Sequence, residues 1–259
     1  MSVIQLDRFD RFAVLTINRP QARNALTWEA MQAFERAIHE LAADHGLRGL
    51  IVTGAGRAFC SGGDLVELHE YPSYQDGMRL STLMGEALLA LEALPFPTVA
   101  ALEGPAMGGG AEVALACDLR VMADDAVLGL MHIRLSICPA WGGLERLVRL
   151  VGYSRSIEWL TAGAILDAQA AERHGLANQV VPKGEALAAA KAWLAKVADQ
   201  DTQAVQSIKA MLRQLARAVD REQVEAARKA FARLWAAPSH LQASQAFIDA
   251  KRARISSRT

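Results

Sequence analysis

An α/β core followed by a helical C-terminal region is the fold class that the sequence predicts, and three observations predict it. Up to residue 181, short runs of aliphatic and β-branched residues alternate with stretches whose apolar positions recur every three or four residues. Beyond Pro182 only the helical period remains. Glycine-rich segments directly follow two of the strand-like runs, at 54–56 and 104–110. These shifts divide the chain into a core over 1–199 and a helical region over 200–259.

The elements follow in order. Residues 12–18 form a strand, stopped where Arg19-Pro20 cannot continue a ladder. Met31, Phe34, Ile38 and Leu41 place one apolar stripe on a helix over 27–44, which Gly46 closes. A buried strand over 49–53 runs into Gly54-Ala-Gly56. Leu80, Leu83, Met84, Ala87, Leu88 and Leu91 predict a helix over 77–94, ended by Pro95 and Pro97. A strand over 98–102 leads through Gly104-Pro-Ala-Met-Gly-Gly-Gly110 into an apolar helix reaching Cys117, and 119–122 returns as a strand. Helical pieces are predicted over 144–151, 154–161 and 167–173, then a last strand over 177–181. Helices over 184–198, 202–218, 221–235 and 239–253 complete the chain.

Composition excludes several function classes. The 259 residues carry 28 basic and 28 acidic side chains, a net charge of zero, with 52% hydrophobic residues. That is ample for a core and rules out wholesale disorder. A neutral balance also argues against nucleic acid as the main partner, because phosphate binding needs a basic excess. The one local excess lies in 200–259, with 11 Lys+Arg against 5 Asp+Glu, or +6, which suits a small anion or a neighbouring subunit. No basic-then-apolar leader opens the chain and no run of about 18 apolar residues spans a membrane. Cys60, Cys117 and Cys138 lack metal-type spacing, so neither a zinc site nor structural disulfides are expected, and the expected location is the cytoplasm.

Two glycine loops carry the chemistry. Gly56-Arg-Ala-Phe-Cys-Ser-Gly-Gly-Asp64 and Ala106-Met-Gly-Gly-Gly-Ala-Glu112 each follow a strand, and the second opens a helix. Glycine exposes backbone N–H groups at close range, and a helix N-terminus adds orphan donors and partial positive charge. Side by side, two such loops can give one N–H each to a single oxygen, an oxyanion hole. Tight turns and close packing explain the glycines alone equally well. Neither loop matches a dinucleotide fingerprint, a P-loop or a G-x-S-x-G elbow.

Taken together with their neighbours, the loops resemble the crotonase superfamily, the enoyl-CoA hydratase/isomerase family. The resemblance rests on Asn18-Arg-Pro20 with Arg23-Asn-Ala-Leu26, Ala58-Phe-Cys-Ser-Gly-Gly-Asp64, Gly104-Pro-Ala-Met-Gly-Gly-Gly-Ala-Glu112 with Cys117-Asp118, and Pro139-Ala-Trp-Gly-Gly143 with Arg146-Leu147. Gln169-Ala-Ala171, Gly175-Leu176 and the helix containing Phe247 extend it over essentially the whole chain. It implies a spiral of ββα units, and a C-terminal helical region that drives assembly into a trimer or a dimer of trimers. It also implies acyl-CoA thioester chemistry through an enolate, with no metal or redox cofactor beyond the coenzyme A of the substrate.

By this resemblance the oxyanion hole is the N–H of Gly63 and of Gly109. Arg23, Ala25, Ser61, Gly62, Asp64 and Leu65 resemble the segments that hold coenzyme A, and Phe247 and Lys251 the tail that closes over it. Glu112 takes the place of the first catalytic glutamate, which activates water; otherwise it reads as a glutamate capping a helix first turn. His132 stands where hydratases usually carry the second glutamate. An imidazole can exchange a proton near neutral pH but lacks a carboxylate's charge and reach; the alternative is a histidine that merely lines the pocket. Trp141 stands where the family often has a smaller residue, either shortening the acyl pocket or filling core space. His39, His45, His69, His174 and His240 read as solvated. Hydration of a 2-enoyl-CoA is the favoured reaction; hydrolysis, decarboxylation, isomerisation and binding without chemistry are the alternatives.

Overall fold

The computed structural model describes residues 2–216 and 221–256. In chain order these form β1 (Ile4–Phe9), β2 (Phe12–Ile17), α1 (Trp28–Ala43), β3 (Gly49–Gly54), α2 (Leu65–Leu68), α3 (Tyr74–Ala93), β4 (Thr98–Leu102), β5 (Ala106–Met107), α4 (Gly109–Ala116), β6 (Leu119–Ala123) and β7 (Val127–Gly129). After a 3-10 turn at His132–Leu135 come α5 (Gly143–Ala162), β8 (Ile165–Asp167), α6 (Ala168–Arg173), β9 (Gln179–Val181), α7 (Ala186–Ala198), α8 (Thr202–Ala216), α9 (Arg221–Trp235) and α10 (Pro238–Ser256).

Six strands make the main sheet in the order β1-β2-β3-β4-β6-β9, parallel except for the β1–β2 hairpin, and β5, β7 and β8 make a second, small sheet. The parallel strands read as continuous apolar runs because both faces are covered. Phe12, Val14, Ile51, Val99, Ala101 and Val121 pack on Ala186, Ala190 and Leu194 of α7. Their alternates Ala13, Leu15, Leu50, Val52, Ala100 and Met122 enter the main core with α1, α3 and α4. Each buried Val, Leu, Ile, Phe or Met among them contributes roughly 1.5–3 kcal/mol on burial. The C-terminal helices fold back on this core, α9 along α3 and α10 across α2 and the 132–135 turn.

The structure adds to the elements read from the sequence. β1 pairs residue by residue with β2 from Ile4↔Ile17 to Phe9↔Phe12. Helix α3 starts at Tyr74, earlier than 77, because Ser73 and Asp76 cap it reciprocally. The helical pieces predicted over 144–151 and 154–161 are the two segments of α5, which meet at a kink where Gly152 takes φ 77° and ψ 170°. Residues 217 and 218 of the predicted 202–218 helix lie outside the described residues.

Candidate active site

Because β3 and β4 are adjacent and parallel, the two glycine loops leave the same end of the sheet. They are tied to each other directly. Met107 N–H donates to Cys60 O at 2.9 Å and Cys60 N–H to Pro105 O at 3.3 Å. Gly110 sits so close that a Cβ there would lie 2.1 Å from Cys60 O, which only glycine avoids. At Gly62, with φ 87°, a Cβ would lie 3.0 Å from the Gly109 nitrogen, so the two loops are in van der Waals contact. Leu26 N–H donates to Gly62 O and Leu26 O accepts from Asp64 N–H, both at 2.8 Å. In that parallel bridge the intervening Gly63 turns its own N–H away from Leu26. Gly109 is the first residue of α4, where an N–H has no intrahelical acceptor.

Glu112, in the first turn of α4, is 2% exposed, and His132 is 6% exposed. Glu112 Oε2 accepts from the N–H groups of Trp141 and Gly143, each at 2.8 Å. Its Oε1 accepts from Ala140 N–H at 3.4 Å and lies 3.1 Å from His132 Nε2. An ionised carboxylate offers about four acceptor positions, and all are used here. Glu112 thus pins the first turns of α4 and α5 together, its charge favoured by both helix N-termini. The sequence assigns it a water; as folded, its oxygens already face protein donors. Because an ionised carboxylate only accepts, a hydrogen bond to it requires the hydrogen on Nε2. Nδ1 is buried and has no partner among the described residues. The ring borders the second glycine loop, since a Cβ on Gly108 would lie 3.9 Å from Nε2.

Trp141, 4% exposed, rests on that loop. A Cβ on Gly109 would meet its ring carbons at 2.2 and 2.5 Å, so the indole covers Gly109 as well as filling core space. Arg146 holds it there: Nη1 donates to Trp141 O at 2.6 Å, while Nε and Nη2 grip Glu92 at 3.1 and 3.0 Å. The role of Ala140, Trp141 and Gly143 as donors to Glu112 is not legible in their side chains; the Gly142-Gly143 pair opening a helix is the only sequence signal.

The residues assigned to coenzyme A fall into two groups. Arg23 and Asn24 take left-handed φ values of 53° and 57°, and Ser61 N–H donates to Arg23 O at 3.1 Å, which sets Arg23 and Ala25 beside the Ser61–Leu65 segment. Within it, Asp64 pairs with Arg19 at 2.9 Å and caps α2 through Val66 N–H, so its carboxylate has a local job. Phe247, 48% exposed, and Lys251, also exposed, lie on α10. That helix is docked through His240, whose Nδ1–H donates to Leu135 O at 2.8 Å, and through Ser244, 2.6 Å from His69 Nδ1. Two histidines read as solvated are therefore structural, and His174 packs edge-on against Trp159. Burial overrides the sequence expectation because it comes from docking onto distant segments.

Cys60, in the first glycine loop, is no thiolate at neutral pH, since burial pushes its thiol up to about 12. A separate cavity of about 570 Å³ lies at the far end of α4, between α5, α7 and α8. Of the cations lining it, Arg146 and Arg149 pair with Glu92 and Lys209 with Asp118. Among the described residues there is no cluster of three metal-ligating side chains and no helix long and apolar enough to cross a membrane.

Comparison with known proteins gives a consistent result. A family model described as enoyl-CoA hydratase/isomerase matches residues 9–257. A Bacillus subtilis (strain 168) protein with a provisional name of enoyl-CoA hydratase/isomerase is 40% identical over 196 residues, 73% of this chain and 75% of that one. The ethylmalonyl-CoA decarboxylase of Danio rerio is 35% identical over 239 residues, 89% of this chain and 78% of the other. A solved enoyl-CoA hydratase/isomerase from Mycobacterium paratuberculosis superposes with a TM-score of 0.88 at 27% identity, over 94% of this chain and 97% of that one.

Proposed function

The chain belongs to the enoyl-CoA hydratase/isomerase family, and on that premise we propose that it is an enoyl-CoA hydratase, adding water reversibly to a 2-enoyl-CoA. The observation that supports this most is the convergence of the two glycine loops beside the Glu112–His132 pair. The thioester oxygen sits between the N–H groups of Gly63 and Gly109, and each donor of this kind is worth roughly 3 kcal/mol in the transition state. His132 handles the protons, held by its hydrogen bond to Glu112. Arg23, Ala25, Ser61, Gly62, Asp64 and Leu65 line the path of coenzyme A, with Phe247, Lys251 and the basic C-terminal helices near its phosphates. No cofactor beyond the coenzyme A of the substrate is required, and the enzyme works in the cytoplasm.

The assembly is a trimer or a dimer of trimers. Phe231 and Trp235 are buried within the chain, whereas Ile208, Met211, Leu212 and Leu215 leave an apolar stripe on α8 for a neighbouring subunit, Leu215 being 83% exposed.

A second reading is decarboxylation of a 2-carboxyacyl-CoA, favoured by the Danio rerio relative and by the histidine at position 132. It uses the same oxyanion hole but needs only a proton donor for the α-carbon. Purified protein offered crotonyl-CoA and ethylmalonyl-CoA separates the two. Loss of enoyl absorbance supports hydration, and carbon dioxide release from the second substrate supports decarboxylation. Turnover of neither, with tight acyl-CoA binding, leaves a binder.

A further inference from the structure

We infer that His132 Nδ1 is the atom that exchanges the proton with water and substrate, as the single acid–base of the site, and that Glu112 is a positioning residue acting through it. This deepens the hydratase reading and rests on it for the identity of the reaction. The inference starts from an imbalance in hydrogen bonding. Glu112 has four protein donors on two oxygens, so water cannot bind its carboxylate without displacing one. His132 has one nitrogen held and one open. Five buried side-chain atoms lack partners among the described residues: Trp28 Nε1, Arg48 Nε, Glu103 Oε2, His132 Nδ1 and Arg228 Nε. Of these only Nδ1 belongs to an imidazole, and that ring borders the second glycine loop, its other nitrogen lying 3.9 Å from a Cβ placed on Gly108.

The Glu112 hydrogen bond determines what Nδ1 can do. With Nε2–H donating to the carboxylate, the neutral ring offers a basic lone pair at Nδ1, and once protonated it becomes an imidazolium stabilised by the adjacent anion. Hydration then closes with one base. A water oxygen bonds to the β-carbon as its proton passes to Nδ1, and the C=C electron pair moves onto the thioester oxygen at the Gly63 and Gly109 N–H groups. The enolate collapses, its α-carbon taking the same proton from Nδ1. One water is consumed, its hydroxyl on the β-carbon and its proton on the α-carbon, and the ring returns neutral.

Two variants separate the roles. His132→Gln keeps an amide N–H near the Nε2 position to donate to Glu112 but has no basic atom at Nδ1. It should keep a folded protein and a KM close to wild type while kcat falls about 10²–10⁴-fold, the usual range for a general acid–base, and the acid limb of the pH–rate profile should vanish. Glu112→Asp keeps the charge but shortens its reach. It should lower kcat less than His132→Gln does and keep the acid limb, since the base is still present. Ring ¹⁵N spectra of histidine-labelled wild type, without substrate, should show His132 as the Nε2–H tautomer. Turnover by His132→Gln within three-fold of wild type, loss of the acid limb in Glu112→Asp alone, or an Nδ1–H tautomer would each overturn the inference. The two readings fail separately. If crotonyl-CoA is not hydrated, hydration falls and the ring spectrum still decides the tautomer. If His132→Gln hydrates normally, hydration stands and this inference falls.

Discussion

Two buried charge clusters lie on either side of Trp141, and they differ in one respect. In the Glu92–Arg146–Arg149 cluster the Arg146 guanidinium has a partner for each nitrogen: Glu92 at 3.1 and 3.0 Å and the Trp141 carbonyl at 2.6 Å. In the Glu112–His132 cluster the carboxylate is saturated but one ring nitrogen is open. A buried polar atom without a partner costs about 1–3 kcal/mol. A group that serves only stability gains by closing every bond, as Arg146 does. A group that must pass a proton has to leave one position open.

The contrast can be broken by substitution, beginning where the effect is largest. Glu112→Gln turns one oxygen into an NH₂ facing backbone donors. It should cost about 1–3 kcal/mol, as leaving buried donors without an acceptor does, read as a lowered denaturant midpoint. His132→Gln should cost under about 1 kcal/mol by the same measurement, because its effect belongs to turnover. Equal losses in the two would erase the distinction.

Arg146→Met leaves the Trp141 carbonyl and part of Glu92 without a donor. A loss of about 1–3 kcal/mol is expected, with the indole less firmly held on Gly109, visible as altered Trp fluorescence. Acid sharpens the same cluster. Burial pushes the Glu92 carboxyl up, but the guanidiniums of Arg146 and Arg149 outweigh this and hold it below the ordinary carboxylate value. A carboxyl depressed on folding adds stability above its unfolded pKa of about 4.3, and that stability is lost as pH falls through the lower folded value. Glu92→Gln should therefore flatten the acid limb of the stability–pH curve and lower stability at neutral pH.

The smallest effect concerns α10. Burial lowers the pKa of His240, against a raising contribution from the Leu135 carbonyl, and nearby His69 lowers it further. The neutral ring is thus the folded form. Its stabilising contribution is complete above the unfolded value of about 6.5 and declines as pH drops toward the lower folded value. Amide exchange in α10, corrected for intrinsic rates, should quicken over that interval, and His240→Asn should remove the dependence.

Much of the fold was legible because parallel strands buried on both faces must be apolar throughout, as 49–53 and 98–102 are. β1 was not legible as a strand, because Asp7 and Arg8 interrupt its apolar positions, although Ile4 and Leu6 already alternate with polar neighbours. β5, β7 and β8 are two or three residues long, too short to carry a period. In the site, the glycine loops and the positions of Glu112 and His132 could be read from the motifs. The engagement of Glu112 could not, because its partners are backbone N–H groups 28 to 31 residues away, which any side chain can provide. The burial of His240 was hidden for a related reason, since its acceptor is a carbonyl 105 residues distant.

The most direct test of the account is enoyl-thioester absorbance against time for wild type and His132→Gln with crotonyl-CoA. The account predicts rapid decay to the hydration equilibrium for wild type and a rate about 10²–10⁴-fold slower for the variant. Unchanged absorbance for wild type, beside rapid carbon dioxide release from ethylmalonyl-CoA, would contradict it and identify a decarboxylase.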